Sequence, residues 1–257
     1  MNKNRNLIAV VACRNNGKRL YGKPLQNLDI DSGWTILDQV INNLKSLKII
    51  SEVVLAISEG EANFDFITYA IKNNLTYVTG DEHDVLSRLI LGLNKVNGTD
   101  LFRVTSESPF LYLDAVNKAW AEHLDNNNDA TFLDNIIDGC NFEIVTTKAL
   151  KISWDKGNSN HRSEGVTSYI REFPEQFKLS ILNPPDELLR KDIRLTVDYP
   201  EDLIVCREIY KEFKNELINS NYSIGEFINL IDSNKFLYKL IQPFVLDGYS
   251  KMYKLKK

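Results

Sequence analysis

Cysteine is scarce in this chain of 257 residues, with Cys13, Cys140 and Cys206 its only thiols. Their odd number and wide separation exclude a disulfide framework and a cysteine-ligated zinc site. Histidine is equally sparse. His83, His123 and His161 show neither metal-ligand spacing nor a Ser or Cys partner pattern, so no histidine-based catalysis is assigned. No apolar run approaches the roughly 18 to 20 residues that span a bilayer. The apolar stretch near the N-terminus, Leu7–Cys13, has strand length, and no signal-peptide cleavage pattern follows it. A soluble cytoplasmic protein without a membrane partner is expected. Acid, finally, is missing from residues 1–28, which hold Lys3, Arg5, Arg14, Lys18, Arg19 and Lys23.

What is present bounds the class. Hydrophobic residues make up 43% of the chain, enough for a substantial core, and the length suits one large domain or one with a smaller appendage. The net charge is −4, so after the six cations of the first 28 residues the remainder carries −10. An acidic globule with one basic segment repels a long polyanion, which argues against nucleic acid as a partner. The same asymmetry suits a small polyphosphate bound at one place.

Strand and helix patterns alternate through the first half. Leu7–Cys13 reads as a buried parallel strand, and the apolar spacing over 35–49 predicts a helix. Strands at 53–57, 75–78 and 101–104 alternate with helices at 64–71, 85–96 and 114–124. Four such alternations predict an α/β fold, a mostly parallel sheet flanked by helices, with ligands beyond the carboxyl ends of its strands. From about residue 130 to 182 the pattern changes to short strands, 130–133, 142–146 and 177–182, around an Asp138-Gly139 turn. A further strand is expected at 193–197, before a helix opened by Pro200, and a last helix at 224–231 precedes a basic end. One domain over 1–215 with an insertion at about 130–182, and a helical extension over 216–257, is the expected organisation.

The strongest local signal is CRNNGKRLYGKPL at 13–25, which puts Arg14, Lys18, Arg19 and Lys23 on one loop after the first strand. A solvated basic loop is the plain reading. Gly17, Gly22 and Lys23 also satisfy the phosphate-loop pattern G-x-x-x-x-G-K, but Pro24 stands where Ser or Thr should meet magnesium and lacks an N–H for phosphate. That reading is rejected.

The loop resembles the signature R-x-G-S-x-R-L-x-G-K-x-L of sugar-activating cytidylyltransferases, the family that makes CMP-sialic acid and CMP-Kdo, especially its spore-coat polysaccharide branch. GDEHDVLSR (80–88), FRVTSESPF (102–110), DGCNFEI (138–144) and RLTVDYPEDL (194–203) agree in order and spacing. The resemblance spans roughly residues 7–215. The resemblance implies a Rossmann-like nucleotidyltransferase fold and attack of a sugar oxygen on the α-phosphate of CTP, with release of pyrophosphate. The acceptor it implies is a sugar acid of nonulosonic or Kdo type. It further implies a homodimer, with the 130–182 segment in the dimer and the acceptor pocket.

The same resemblance assigns residues. Arg14, Asn16, Gly17, Lys18, Arg19, Lys23, Arg88 and Ser106 are expected at the nucleotide, with Arg14, Lys23 and Asp198 in catalysis. Magnesium is the implied cofactor, held by Asp198 and by Glu107, which replaces the usual Asp and ligates directly or through water. For Asp198 alone, a helix-capping Asp is the competing reading. Asn141, Glu143, Glu164 and Arg171 are expected at the acceptor, although Arg171, like Arg162, is as consistent with a surface or dimer contact. Asn16-Gly17, Asn141 and Gly165 depart from the usual Gly-Ser, Asp and His. Other readings remain: a nucleotidyltransferase for a phosphorylated acceptor, a glycosyltransferase using Asp29-Ile30-Asp31, and a non-catalytic nucleotide-binding protein.

Overall fold

A computed structural model describes residues 5–17 and 19–246, so Lys18 and the basic end at 247–257 lie outside the described residues. The first strand, β1 (Leu7–Cys13), is apolar at every position because both its faces are covered. Leu7, Ala9, Val11 and Cys13 enter one hydrophobic cluster, while Ile8 and Val10 enter a second on the opposite face. The stretch after the basic loop holds a small antiparallel ribbon of β2 (Asn27–Asp29) and β3 (Trp34–Thr35). Helix α1 (Ile36–Ser46) then starts where Thr35 Oγ1 accepts the Asp38 N–H at 3.1 Å and Asp38 accepts the Thr35 N–H at 2.8 Å.

The alternation continues through β4 (Ile50–Ser58), α2 (Phe64–Lys72), β5 (Thr76–Gly80), α3 (Val85–Lys95), β6 (Asp100–Arg103) and α4 (Val116–Asp125). Strands β7 (Ala130–Leu133) and β8 (Glu143–Thr146) follow, then helices α5 (Thr147–Lys156), α6 (Ser159–Arg162) and α7 (Ser168–Glu172), and strand β9 (Leu179–Leu182). All the strands except the ribbon form one seven-stranded sheet, in the order β5-β4-β1-β6-β8-β7-β9. Only β8 runs against its neighbours, so the sheet is mostly parallel. The strands between 130 and 182 therefore prolong the main sheet at one edge. Helices α3, α5 and α7 cover one face, while α1, α2 and α4 cover the other.

After β1 the chain crosses to β4 on one side and later returns to β6 on the other. That reversal opens a crevice beyond the carboxyl ends of β1 and β6, the place where such sheets bind ligands. The basic loop leaves β1 there, and the segment 104–107 leaves β6.

The strand expected at 193–197 is instead an extended strip. Its pairing is a single parallel bridge between Arg194 and Asp138, with Leu195 N–H donating to the Asp138 carbonyl at 2.7 Å and Val197 N–H to the Glu107 carbonyl at 3.0 Å. Its neighbours, 107 and 138, are loop residues, so no continuous ladder forms. Beyond it run α8 (Pro200–Glu212), α9 (Lys214–Ile218), α10 (Ile224–Ser233), α11 (Lys235–Ile241) and a single turn, Gln242–Phe244. Helix α11 was not legible in the sequence. Leu217, Phe227, Ile231, Leu237 and Ile241 all enter the main core, so helices α9 to α11 pack as part of the same body.

Candidate functional site

The basic loop is folded back on itself at its base. The Asn15 carbonyl accepts both the Gly17 N–H (2.8 Å) and the Gly22 N–H (3.0 Å), and Asn15 N–H is held by Asn63 Oδ1 at 2.8 Å. Gly17 is required by close approach, since a Cβ there would lie 2.2 Å from the Leu20 carbonyl oxygen. The loop ends in a short turn, Lys23–Leu25, rather than a long helix, which agrees with rejecting the phosphate-loop reading. This curl turns Arg14, Arg19 and Lys23 towards a cavity of about 890 Å³ over the crevice.

The opposite wall is acidic. Lys23 Nζ lies 2.5 Å and Arg19 Nη2 2.8 Å from Asp198 Oδ1, while Arg194 Nη2 donates to Asp198 Oδ2 at 2.8 Å. Asp198 is not the helix cap. The N-cap of α8 is Tyr199, and Asp202 in the first turn reaches back to accept the Asp198 and Tyr199 N–H groups at 2.9 Å, while the Asp198 carboxylate faces the cavity. Burial alone pushes Asp198 upward, but Lys23, Arg19 and Arg194 outweigh it and hold the carboxyl below the usual range.

Glu107 lines the same cavity, joined to this strip by the Val197–Glu107 backbone bond. Burial pushes its carboxyl up, opposed by Lys23 and reinforced by Asp198. Two hard carboxylates lining one cavity, one of them poorly compensated, form a donor set suited to a magnesium ion shared with phosphate. Among the described residues no group of three or more His, Cys, Asp or Glu side chains forms a self-sufficient metal site.

Ten expected residues meet here. Arg14, Asn16, Gly17, Arg19, Lys23, Arg88, Ser106, Glu107, Glu164 and Asp198 all line the cavity. Arg88 lies at its floor, 1% exposed, with Nη1 donating to the Cys13 and Ala56 carbonyls at 3.2 and 3.3 Å and Nε unpaired. Glu164 closes the rim as an ion pair with Arg14. Arg14 is partly and Glu164 largely exposed, so the pair is worth at most about 1 kcal/mol and yields readily to a phosphate. Lys18 lies outside the described residues.

Of the four acceptor-side residues, Glu164 lines the cavity and the other three lie away from its wall. Glu143 and Arg171 do not line the cavity. They are buried behind it, with Arg171 forked onto Asp134 at 2.9 and 3.0 Å and donating to Glu143 Oε1 at 2.9 Å. Two buried opposite charges satisfy each other there. Asn141 is half-buried and also absent from the wall. The residue that reaches the cavity from this network is Arg103, whose Nη1 donates to Glu143 Oε2 at 2.8 Å and Nη2 to the Glu164 carbonyl at 3.0 Å.

Arg103, Arg194 and Tyr199 were not singled out in the sequence, although each sits inside a recognised motif. Their signal was the motif letter alone, and long-range pairing gave it meaning. Asp138 is similar. Burial carries its carboxyl to about 6, with Arg194 opposing and Asp198, Asp202 and Glu107 adding to the rise. Arg194 thus sits fully buried among three aspartates, Asp138, Asp198 and Asp202.

Comparison with known proteins gives consistent relatives. Residues 8–238 match the sequence profile of the family described as cytidylyltransferase. The chain is 30% identical over 228 residues to the uncharacterized protein MJ1063 of Methanocaldococcus jannaschii, covering 89% of this chain and 91% of that one. It is 24% identical over 233 residues to the spore coat polysaccharide biosynthesis protein SpsF of Bacillus subtilis, with coverages of 89% and 95%. Among solved structures, a cytidylyltransferase from Leptospira borgpetersenii superposes with a TM-score of 0.80 at 21% identity, covering 93% of this chain and 97% of that one. No helix of the described residues is long and apolar enough to cross a membrane.

Proposed function

The chain belongs to the cytidylyltransferase family, and from that premise we propose that it transfers CMP from CTP to a sugar acid of nonulosonic or Kdo type, with magnesium, releasing pyrophosphate. The observation that carries this reading is the single cavity in which Arg14, Arg19 and Lys23 face Asp198 and Glu107. In it, Lys23 and Arg19 exchange the Asp198 carboxylate for phosphate oxygens of CTP. The acceptor oxygen attacks the α-phosphorus as the bond to the bridging oxygen breaks. Pyrophosphate leaves with that electron pair, and the acceptor proton passes to solvent. Charge growing on the leaving group gives the three cations a role beyond binding. Magnesium, when bound by Asp198 and Glu107, supplies positive charge shared with the phosphates. Arg88 keeps an Nε–H for the nucleotide.

Arg103 selects the acceptor's charge. Glu143 fixes its guanidinium from behind, and its donors outnumber its two partners, so an N–H edge is left for a sugar carboxylate. SpsF is named for spore coat polysaccharide biosynthesis, and the same reading gives this enzyme a part in making a surface polysaccharide. A homodimer in the cytoplasm, where CTP is available, belongs to the proposal. Sedimentation as a monomer at micromolar concentration would remove the dimer.

Pyrophosphate release, measured with each NTP and a panel of 3-deoxy-2-ulosonic acids, tests the whole. Magnesium-dependent release with CTP and one such acid is expected. Turnover only with a phosphorylated acceptor would replace the sugar acid. Tight CTP binding with no turnover on any acceptor would leave a non-catalytic binding protein.

A further inference from the structure

The segment after 216 has no part in the chemistry described so far, yet its last described turn touches the site. Helix α11 packs on α8, and the chain then turns at Gln242–Phe244. Gln242 Nε2 donates to the Asp192 carbonyl at 2.8 Å, which holds the turn beside the strip 193–198. The Phe244 carbonyl accepts Arg194 Nη1 at 2.8 Å. The Phe244 ring stacks on Tyr199, with centroids 4.1 Å apart and planes 23° from parallel. Arg194 is the residue whose other terminal nitrogen holds Asp198 Oδ2 at 2.8 Å, and Tyr199 carries the Arg19 guanidinium 4.8 Å above its ring.

We propose that the turn Gln242–Phe244 is a positioning element of the active site, which fixes Arg194 through the Phe244 carbonyl and thereby holds Asp198 in register with Glu107. The reasoning is geometric. A guanidinium is planar, so holding one terminal nitrogen restricts the direction of the other. Arg194 is surrounded by three carboxylates at unequal distances, 2.8 Å to Asp198, 3.4 Å to Asp202 and 3.8 Å to Asp138, and without an outside acceptor it can redistribute among them. The Phe244 carbonyl selects the arrangement facing Asp198, and the stack on Tyr199 seats that carbonyl. Phe244, Arg194 and Tyr199 are positioning residues. The inference rests on the reading of Asp198 as the magnesium carboxylate.

The test is calorimetric titration of the full chain with CTP, with and without Mg²⁺ and with no acceptor present, alongside turnover. Phe244 is half-buried, so Phe244→Ala is expected to fold, as circular dichroism will check. The variant should lose at least fivefold of the Mg²⁺-dependent gain in CTP affinity and about tenfold in kcat. Its CTP affinity without Mg²⁺ should stay within threefold of the parent, and Phe244→Tyr should restore the gain. Arg194→Lys keeps the charge but not the fork, and should reproduce the Phe244→Ala pattern. If the parent shows a Mg²⁺ gain that Asp198→Asn abolishes but folded Phe244→Ala and Arg194→Lys retain, the inference is overturned and the metal reading stands. If the parent shows no Mg²⁺ gain, or Asp198→Asn keeps it, the metal reading falls and takes the inference with it.

Discussion

Glu143→Gln separates a buttress from a ligand. The carboxylate is 4% exposed and engages both oxygens, Oε2 with Arg103 at 2.8 Å and Oε1 with Arg171 and Thr167 at 2.9 Å each. Burial pushes its carboxyl up, but Arg103 and Arg171 outweigh that and hold it at about 2, against 4.5 for a free side chain. A depressed carboxylate pKa adds stability above the unfolded value and loses it as pH falls. The difference from 4.5 to about 2 corresponds to about 3 kcal/mol at pH 7 and about 1 kcal/mol at pH 3. Breaking a buried pair from one side costs roughly 3–5 kcal/mol by mutation, so the two routes agree. Arg171 keeps its fork on Asp134, so the unpaired charge in the variant is Arg103. For a chain of this size the melting temperature should fall by about 6–12 °C at pH 7. Urea melts of parent and variant at pH 7 and pH 3 provide the assay, and the gap should shrink at the lower pH. Equal stabilities at pH 7, or a gap that widens at pH 3, would refute the buttress.

Three further outcomes are expected. Lys23→Met should lower turnover roughly a hundredfold, about 3 kcal/mol, while the melting temperature stays nearly constant because Asp198 keeps Arg19 and Arg194. A loss below threefold in steady-state kinetics would remove Lys23 from the transition state. Gly139→Ala should destabilise by more than about 1 kcal/mol, since φ is +96° and the new Cβ would lie 2.6 Å from the Leu195 carbonyl carbon and the Thr196 nitrogen. An unchanged urea midpoint would contradict that close approach. CTP at a hundred times its Kd should stabilise the fold by about 2.7 kcal/mol in a thermal melt, with smaller shifts for equal concentrations of ATP, GTP and UTP. Equal shifts for all four nucleotides would dissociate the cavity from cytosine recognition.

Sequence alone determined the alternating sheet, because burial on both faces of β1 demands an unbroken apolar run, and helical spacing marks the layers that cover it. It also determined the basic half of the site. Arg14, Arg19 and Lys23 are neighbours along ten residues, and one loop is enough to bring them together. The acidic half was legible as letters without a geometry. Asp198 alone kept a helix-capping alternative, which fell only when the N-cap proved to be Tyr199 and the Asp198 carboxylate proved to be held by Lys23, Arg19 and Arg194. Glu143 and Arg171 carry charges that suggest a ligand. Only tertiary structure decided that they satisfy each other behind the wall and leave Arg103 to face the cavity. Arg194 and Phe244, 50 residues apart, meet only through the packing of α11 on α8. Periodicity along a chain reports which side of each element is buried. It does not report which buried charges from distant elements share one dry space, and there the pairing is set by the carboxylate or guanidinium that happens to lie opposite.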